Sequence, residues 1–187
     1  MSSSILLELT RRYLEPHRHY HTLEHIAHML EGTAVAARSE GHALADEQIL
    51  AVWFHDAVYD PRASDNEEKS AALAAAMLRA EGKDESFIAR VERIVLDTKH
   101  HVPSIALSQA VIDADLQTLA LPWEGYLKIG ALIRREYAFV DDAQWRQGRA
   151  RFFSQWLQRE RIYYTPWGRQ LESQARSNLS RTVAGEA

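Results

Sequence analysis

Three short segments of this chain contain side chains of the types that ligate metal ions in proteins. His55 is followed directly by Asp56. His21 and His25 lie upstream, and an acidic pair interrupts the apolar segment 110–120. Imidazole nitrogens and carboxylate oxygens together form a mixed donor set that suits borderline and hard divalent cations. Because a bound cation of this kind activates water, the sequence indicates a candidate metal-dependent hydrolase.

The acidic pair consists of Asp113 and Asp115. A carboxylate inside an apolar run is costly unless it is paired or bound to a metal. Two residues that are two positions apart on a helix face different directions, so only one of them can be a direct ligand. The other is expected to be a solvated helix residue or a partner of the ligand, and spacing alone leaves the choice open.

Apolar residues recur at helical spacing along the whole chain, and no alternating run bounded by turn residues indicates a strand. No internal repeat or low-complexity linker divides the pattern. The expected fold is therefore all-α, a single-domain helical bundle over residues 1–187. Proline, glycine and capping residues predict nine helices, at 4–14, 22–39, 47–55, 66–82, 85–99, 104–119, 124–137, 143–159 and 166–181.

The candidate site residues are expected to lie at helix ends and in loops. Asp46 is the expected N-cap of the third helix, which ends at the pair 55–56. The segment 57–65 contains proline and turn-forming residues, which predicts a loop at the mouth of a site. Asn66 is the expected cap of the helix that follows.

Several other polar residues have more than one open interpretation. Glu67 and Glu68 stand in a first helical turn, where they either orient a water molecule or interact with the helix dipole. His100 and His101 follow a helix, where they contact phosphate, bind a second metal or complement the dipole. Three arginines on amphipathic helices either bind phosphate or face solvent: Arg134, Arg135 and Arg149.

Composition and charge narrow the class of protein. Apolar residues make up 46% and charged residues 26%, which is typical of a globular domain. The net charge of −4 provides no positive field for a nucleic-acid polymer. The chain has no cysteine, so a metal must be held by His, Asp or Glu. The first eight residues do not resemble a signal peptide and no run of 18 apolar residues occurs, which predicts a cytoplasmic protein without a membrane partner.

The order of these motifs resembles the HD-domain metal-dependent phosphohydrolases, whose ligands occur as H, then HD, then D. In this chain His25, the pair His55-Asp56 and Asp115 match that order. The segment 114–117, ADLQ, is similar to the ADLS segment that carries the last ligand in the cyclic nucleotide phosphodiesterase branch. The resemblance therefore implies that His25, His55, Asp56 and Asp115 are the metal ligands.

The segment 20–25, YHTLEH, is similar to the YHNxxH segment of the same phosphodiesterase branch. In that branch the second histidine binds metal and the first protonates the leaving group, which implies that His21 is the proton donor. The phosphodiesterases have a histidine and a glycine after HD where this chain has 57–61, AVYDP, so neither a second metal nor cyclic nucleotides are implied. Over most of its length the chain resembles small bacterial HD phosphohydrolases.

The resulting expectation is a metal-dependent phosphohydrolase that cleaves the phosphate ester of a nucleotide or another small phosphorylated metabolite. The divalent metal is open among Mn, Mg, Fe, Co, Ni and Zn, and the protein is expected to be a monomer or a homodimer. The catalytic residues are expected to be His21, Glu67 and Glu68. Two alternatives are a metal-binding helical sensor without turnover and an H-x-x-E-H metallopeptidase with Glu24 as its base.

Overall fold

The computed structural model describes residues 1–186, which form nine α-helices and no strand. The all-α prediction is confirmed. No helix in this range is long and apolar enough to cross a membrane. The helices are α1 Ser3–Tyr13, α2 Leu23–Ser39, α3 Asp46–Phe54, α4 Asn66–Ala80, α5 Glu85–Thr98, α6 Ala106–Asp115, α7 Trp123–Glu136, α8 Asp142–Leu157 and α9 Gly168–Val183.

The first hydrophobic core is formed by α1 to α5. The helix α1 buries Ile5, Leu9 and Tyr13, which recur every four residues and so share one face. The Tyr13 hydroxyl also donates a hydrogen bond of 2.9 Å to the Trp53 carbonyl, which ties α1 to the end of α3. Larger buried side chains from the other four helices complete this core: Ile26, Met29, Leu50, Val52, Phe54, Leu78, Ile88, Val91, Ile94 and Val95.

The second core lies among α6 to α9, and α6 contributes to both cores. Val111 packs in the first core, whereas the next residue, Ile112, packs in the second. The other buried members of the second core include Leu116, Tyr126, Phe153, Trp156, Ile162, Tyr163 and Leu179. Because α6 is buried between the two groups of helices, its C-terminal end is held in the interior.

Small side chains let α2 and α6 pack closely. Ala36 and Ala37 of α2 form a fully buried cluster with Ala110 of α6. The two helices run antiparallel, since His25 near the start of α2 lies beside Asp115 at the end of α6. Two of the residues that the sequence singled out are therefore brought together by helix packing.

Two predicted caps are wrong in detail. The helix α3 begins at Asp46, and the side chain of Gln48 accepts from the backbone N–H of Ala45. Asn66 lies inside α4 and does not cap it, because its side chain bonds both the N–H and the carbonyl of Asp60. These bonds instead fix the loop that precedes α4.

The sixth helix is shorter than the sequence predicts. It begins at Ala106 and ends at Asp115, and the chain continues as a tighter 3₁₀ segment, Leu116–Ala120. Side chains from the second core satisfy carbonyls here: the Tyr163 hydroxyl donates to Leu116, and Asn178 donates to Leu119 and Leu121. These acceptors no longer need an i+4 partner, so the tighter turn is stable.

Candidate metal centre

Four ligand-type side chains meet where three helices begin or end. His25 lies in the first turn of α2, and His55 directly follows α3 with its N–H still bonded to the carbonyl of Ala51. Asp56 comes next, and Asp115 is the last residue of α6. Both imidazoles are almost fully buried, with exposures of 4% for His25 and 2% for His55.

The ligand atoms of these residues point at one another. The Nε2 atoms of His25 and His55 are 3.2 Å apart, and His55 Nε2 is 3.0 Å from Asp56 Oδ2. Asp115 Oδ1 is 3.4 Å from His25 Nε2 and 4.0 Å from His55 Nε2. Bonds of about 2.1 Å to one cation place adjacent ligand atoms about 3.0–3.4 Å apart. The ligand atoms of His25, His55 and Asp56 are therefore close enough together to hold a single divalent cation, and Asp115 Oδ1 lies beside them.

The backbone orients the ring of His55. Its Nδ1 donates a hydrogen bond of 2.8 Å to the carbonyl of Val52, so Nε2 is the atom directed at the other ligands. A second hydrogen bond of this kind commonly fixes the ring orientation of a metal-binding histidine. The group close enough to hold an ion comprises His25, His55 and Asp56, whose ligand atoms all lie within 4.8 Å of one another.

Burial and opposite charges compete at this cluster. Burial lowers the pKa of both imidazoles, and for His25 it prevails, which favours the neutral ligating form. For His55 the negative charges of Asp56 and Asp115 prevail and raise the pKa to about 9. Burial raises the pKa of Asp56, yet the positive charges of His55 and His21 hold it well below its usual range. The carboxylates of Asp56 and Asp115 therefore favour a positive charge at this cluster.

Asp115, and not Asp113, lies in this cluster. Asp113 is fully buried on another face of α6, where it accepts hydrogen bonds from the Tyr164 N–H and from the N–H and hydroxyl of Thr165. Burial raises the pKa of Asp113 to about 6 although these bonds oppose the shift. The expectation that the non-ligand aspartate could be solvated is therefore wrong, since Asp113 anchors the chain before α9.

His21 lies beside the cluster and is held by Glu136. Its Nδ1 donates a hydrogen bond of 2.6 Å to Glu136 Oε2, while its Nε2 is 3.8 Å from Asp56 Oδ2. Burial lowers the pKa of His21, but the carboxylates of Asp56, Glu136 and Asp115 together raise it. The ring is therefore suited to carry a proton on the nitrogen that faces Asp56.

Glu136 was not identified from the sequence. Its Oε1 accepts from three successive backbone N–H groups, those of residues 19–21, at 2.7–3.1 Å, and its Oε2 also accepts from the Tyr59 hydroxyl. Burial raises the pKa of Glu136, but the bonds and charge from His21 outweigh it and lower it to about 2. An acid in the last turn of a helix is unfavourable to the dipole, and that position was the one signal for a special role.

Arg18 is a second residue that the sequence did not identify. Its buried guanidinium donates to the carbonyls of His21, Asp56 and Ala57. It also pairs with Glu15 at 3.0 Å. Arg18 thus ties the segment before α2 to the segment after α3, which keeps the two histidine motifs together.

His101 is placed beside Asp115. Its Nε2 donates to Asp115 Oδ2 at 3.1 Å, so the other carboxylate oxygen remains directed at His25. The backbone of His101 has φ of 52°, in the left-handed region, and its ring packs edge-on against Trp156. A strained backbone at a site residue persists only where its surroundings hold it in place.

The two glutamates of the first turn of α4 differ in position. Glu67 lines a cavity beside the cluster, whereas Glu68 is exposed and pairs with Lys99. The Lys99 ammonium also donates to the carbonyl of Ser64, so both of its partners lie at the start of α4 or just before it. His100 lines the same cavity.

The cavity has a volume of about 700 Å³ and connects the cluster to α7 and α8. His21, His55, Asp56 and Asp115 line one part of its wall. Most of the remaining wall is apolar or aromatic and is supplied by Leu119, Tyr126, Ile129, Ile133, Tyr137, Trp145, Phe152 and Phe153. The arrangement provides a ligand cluster at one side of a pocket large enough for a small molecule.

No protein-family model, no curated protein and no solved structure matches this chain. Its chemistry is therefore inferred from the side chains described above.

Proposed function

We propose that this protein is a metal-dependent phosphohydrolase acting on the phosphate ester of a nucleotide or another small phosphorylated metabolite. The observation that carries the proposal is the convergence of two imidazole nitrogens and two carboxylate oxygens from three chain segments. His25, His55, Asp56 and Asp115 would hold the cation, whose identity is open among Mn, Mg, Fe, Co, Ni and Zn.

The residues around the ligands support hydrolysis rather than metal storage. When bound, a divalent cation polarises a phosphoryl oxygen and lowers the pKa of water. His21 is held by Glu136 with its Nε2 free to protonate the leaving oxygen, a contribution of about 10²- to 10⁴-fold. Water adds its oxygen to phosphorus as the ester P–O bond breaks, and the products are inorganic phosphate and an alcohol. Glu67 faces the cavity and is the better placed of the two glutamates to orient that water.

The cavity and the charge favour a small substrate. A volume of about 700 Å³ falls within the roughly 300–1,000 Å³ of typical small-molecule pockets. The net charge of −4 does not favour a polyanionic polymer.

Metal content and phosphate release test the proposal together. Purified wild type is expected to contain about one divalent cation per chain and to release phosphate from a panel of nucleotides and sugar phosphates. His55→Ala/Asp56→Ala is expected to lose both, whereas His28→Ala, an exposed residue on α2, should keep both. Metal without phosphate release from any ester would overturn the hydrolase and support a sensor. No metal after reconstitution would overturn both.

The peptidase alternative requires Glu24 as a base. Glu24 is exposed on α2, and His21, the first histidine of H-x-x-E-H, precedes the helix and bonds Glu136. Glu24→Gln is therefore expected to leave phosphate release unchanged. Peptide hydrolysis by wild type that Glu24→Gln abolishes would contradict this assignment.

A further inference from the structure

The side of the cavity formed by α7 and α8 contains a guanidinium that forms no ion pair and no hydrogen bond within the described part of the chain. Arg149, on α8, lines this cavity together with the ligand cluster. Within residues 1–186 its guanidinium makes no ion pair and no hydrogen bond, whereas Arg134 pairs with Asp142 at 2.8 Å. Lys99, the other lysine or arginine on the wall, is already bonded to Glu68 and Ser64.

The guanidinium of Arg149 is held in place by packing. Its central carbon lies 5.3 Å from the centre of the Tyr126 ring and 5.4 Å from that of Phe153. It also lies over Gly130, where a Cβ atom would come within 2.9 Å of Nη2. The absence of a side chain at position 130 thus makes room for the guanidinium. Packing of this kind orders the group before a ligand arrives, which reduces the entropic cost of binding.

The wall around Arg149 is apolar. Trp145 and Phe152 lie on the same helix, and Ile129 and Ile133 face them from α7. An ordered guanidinium among such side chains has five N–H donors in a planar fork, which matches a carboxylate or a phosphate. A ligand with an apolar body and an anionic group would match both the apolar wall and the guanidinium.

We propose that Arg149 binds a second anionic group on the substrate, so that the leaving group of the phosphate ester has an aromatic or apolar body and its own carboxylate or phosphate. This inference rests on the proposed phosphohydrolase function, which places the reacting phosphoryl group at His25, His55, Asp56 and Asp115. The apolar body then lies along α7 and α8, and the second anion meets Arg149.

Three phenyl esters test the assignment: phenyl phosphate, 4-carboxyphenyl phosphate and 1,4-phenylene bisphosphate. The wild type is expected to have a KM about tenfold or more lower for the two esters with a second anion. Arg149→Met, which removes the charge and keeps the length, should raise those two KM values about 10- to 100-fold and leave the KM for phenyl phosphate within twofold. Which of the two esters has the lower KM in the wild type identifies the second anion as carboxylate or phosphate.

Control variants separate charge from folding. Arg146→Met, one turn earlier on α8 and exposed, is expected to leave all three KM values unchanged. Arg149→Lys keeps the charge without the fork and should give a smaller rise than Arg149→Met. If neither Arg149 variant folds, the KM values of the wild type for the three esters test whether a second anion site exists. Equal KM values for all three esters, or identical values in wild type and Arg149→Met, would overturn the second anion site.

Failure of this inference is distinguishable from failure of the proposed function. Binding of 4-carboxyphenyl phosphate is measured by calorimetry alongside turnover. Binding that Arg149→Met weakens, without hydrolysis, would retain the anion site and overturn the hydrolase. Hydrolysis with the same KM in wild type and Arg149→Met would retain the hydrolase and overturn the anion site.

Discussion

His21 and Glu136 are 115 positions apart and are joined by a hydrogen bond of 2.6 Å between Nδ1 and Oε2. The same carboxylate accepts the backbone N–H groups of residues 19–21. One side chain at the end of α7 therefore shapes the turn that precedes α2 and orients the imidazole beside the candidate metal ligands.

Glu136→Gln is expected to destabilise the protein at pH 7 by on the order of 1–3 kcal/mol, because a buried acceptor of five hydrogen bonds loses its charge. The pKa of Glu136 is about 2 in the folded protein against 4.5 ordinarily. The unfolded chain therefore takes up the proton first as the pH falls. The difference from wild type should be complete above pH 4.5 and shrink toward pH 2.

Urea denaturation at several pH values measures this difference. Glu31→Gln, an exposed residue on α2, is the control and should change stability by less than about 0.5 kcal/mol at every pH. A penalty for Glu136→Gln that is independent of pH below 4.5 would contradict the assigned pKa.

His25→Ala is expected to abolish metal binding, whereas His28→Ala, three residues later on the exposed face of α2, should not affect it. The reason is that His25 Nε2 lies within 3.4 Å of both His55 Nε2 and Asp115 Oδ1, so its loss removes a central ligand. Elemental analysis after dialysis measures the stoichiometry. Full metal content in His25→Ala would show that the cation binds elsewhere.

The two aspartates of α6 are expected to respond in opposite ways. Asp115→Asn should lose metal, because its carboxylate faces the ligands. Asp113→Asn should keep the metal and lower the free energy of unfolding by about 1–3 kcal/mol, because an amide cannot accept every hydrogen bond that Tyr164 and Thr165 donate. Metal titration and thermal denaturation of both variants check this, and metal loss in Asp113→Asn alone would reverse the assignment.

His101→Gly is expected to weaken metal affinity about 10- to 100-fold, because Asp115 loses the donor that orients it. The same change relieves the left-handed backbone, so the free energy of unfolding should change by less than about 1 kcal/mol. Calorimetric metal titration distinguishes positioning from a purely structural role. His100→Ala is the control, and equal affinities in both variants and wild type would rule out a role for His101.

Two glycines give opposite predictions for stability. At Gly168 a Cβ atom would overlap Asp113 Oδ2, so Gly168→Ala should lower the free energy of unfolding by about 2 kcal/mol or more. At Gly148, inside α8, no described atom other than those of its chain neighbours and the nearby helix backbone lies within 4 Å of such a Cβ, so Gly148→Ala should raise it by about 0.5–1 kcal/mol. Thermal denaturation measures both. An unchanged free energy of unfolding in Gly168→Ala would show that the side chain of Asp113 can move away.

Most helix bounds could be predicted from local sequence. The bounds of α2 and α5 lie within one residue of those expected, because apolar periodicity and terminating residues act over a few neighbouring positions. The end of α6 could not be predicted in this way. It depends on Tyr163 and Asn178, which reach back to carbonyls at positions 116–121 from distant parts of the chain.

The candidate site, too, could be predicted only in part from local sequence. Residue types and their order indicated His25, His55, Asp56 and Asp115, and the structure brings their ligand atoms together, while their roles as ligands stay predictions. Spacing alone could not choose between Asp113 and Asp115. The choice depends on which face of α6 meets α2, a property of helix packing.

By itself the sequence determined the all-α class, the approximate helices and the residues able to bind a cation, because these follow from local periodicity and side-chain chemistry. Only the tertiary structure decided that Glu136 holds His21, that Arg18 joins the two histidine motifs and that Arg149 lines the cavity without an ion pair or hydrogen bond to residues 1–186. The contacts of Arg18 and Glu136 that bring separate segments together join positions 38 to 115 residues apart, and the surroundings of Arg149 come from two different helices. No local pattern specifies them, because they exist only after the helices have packed.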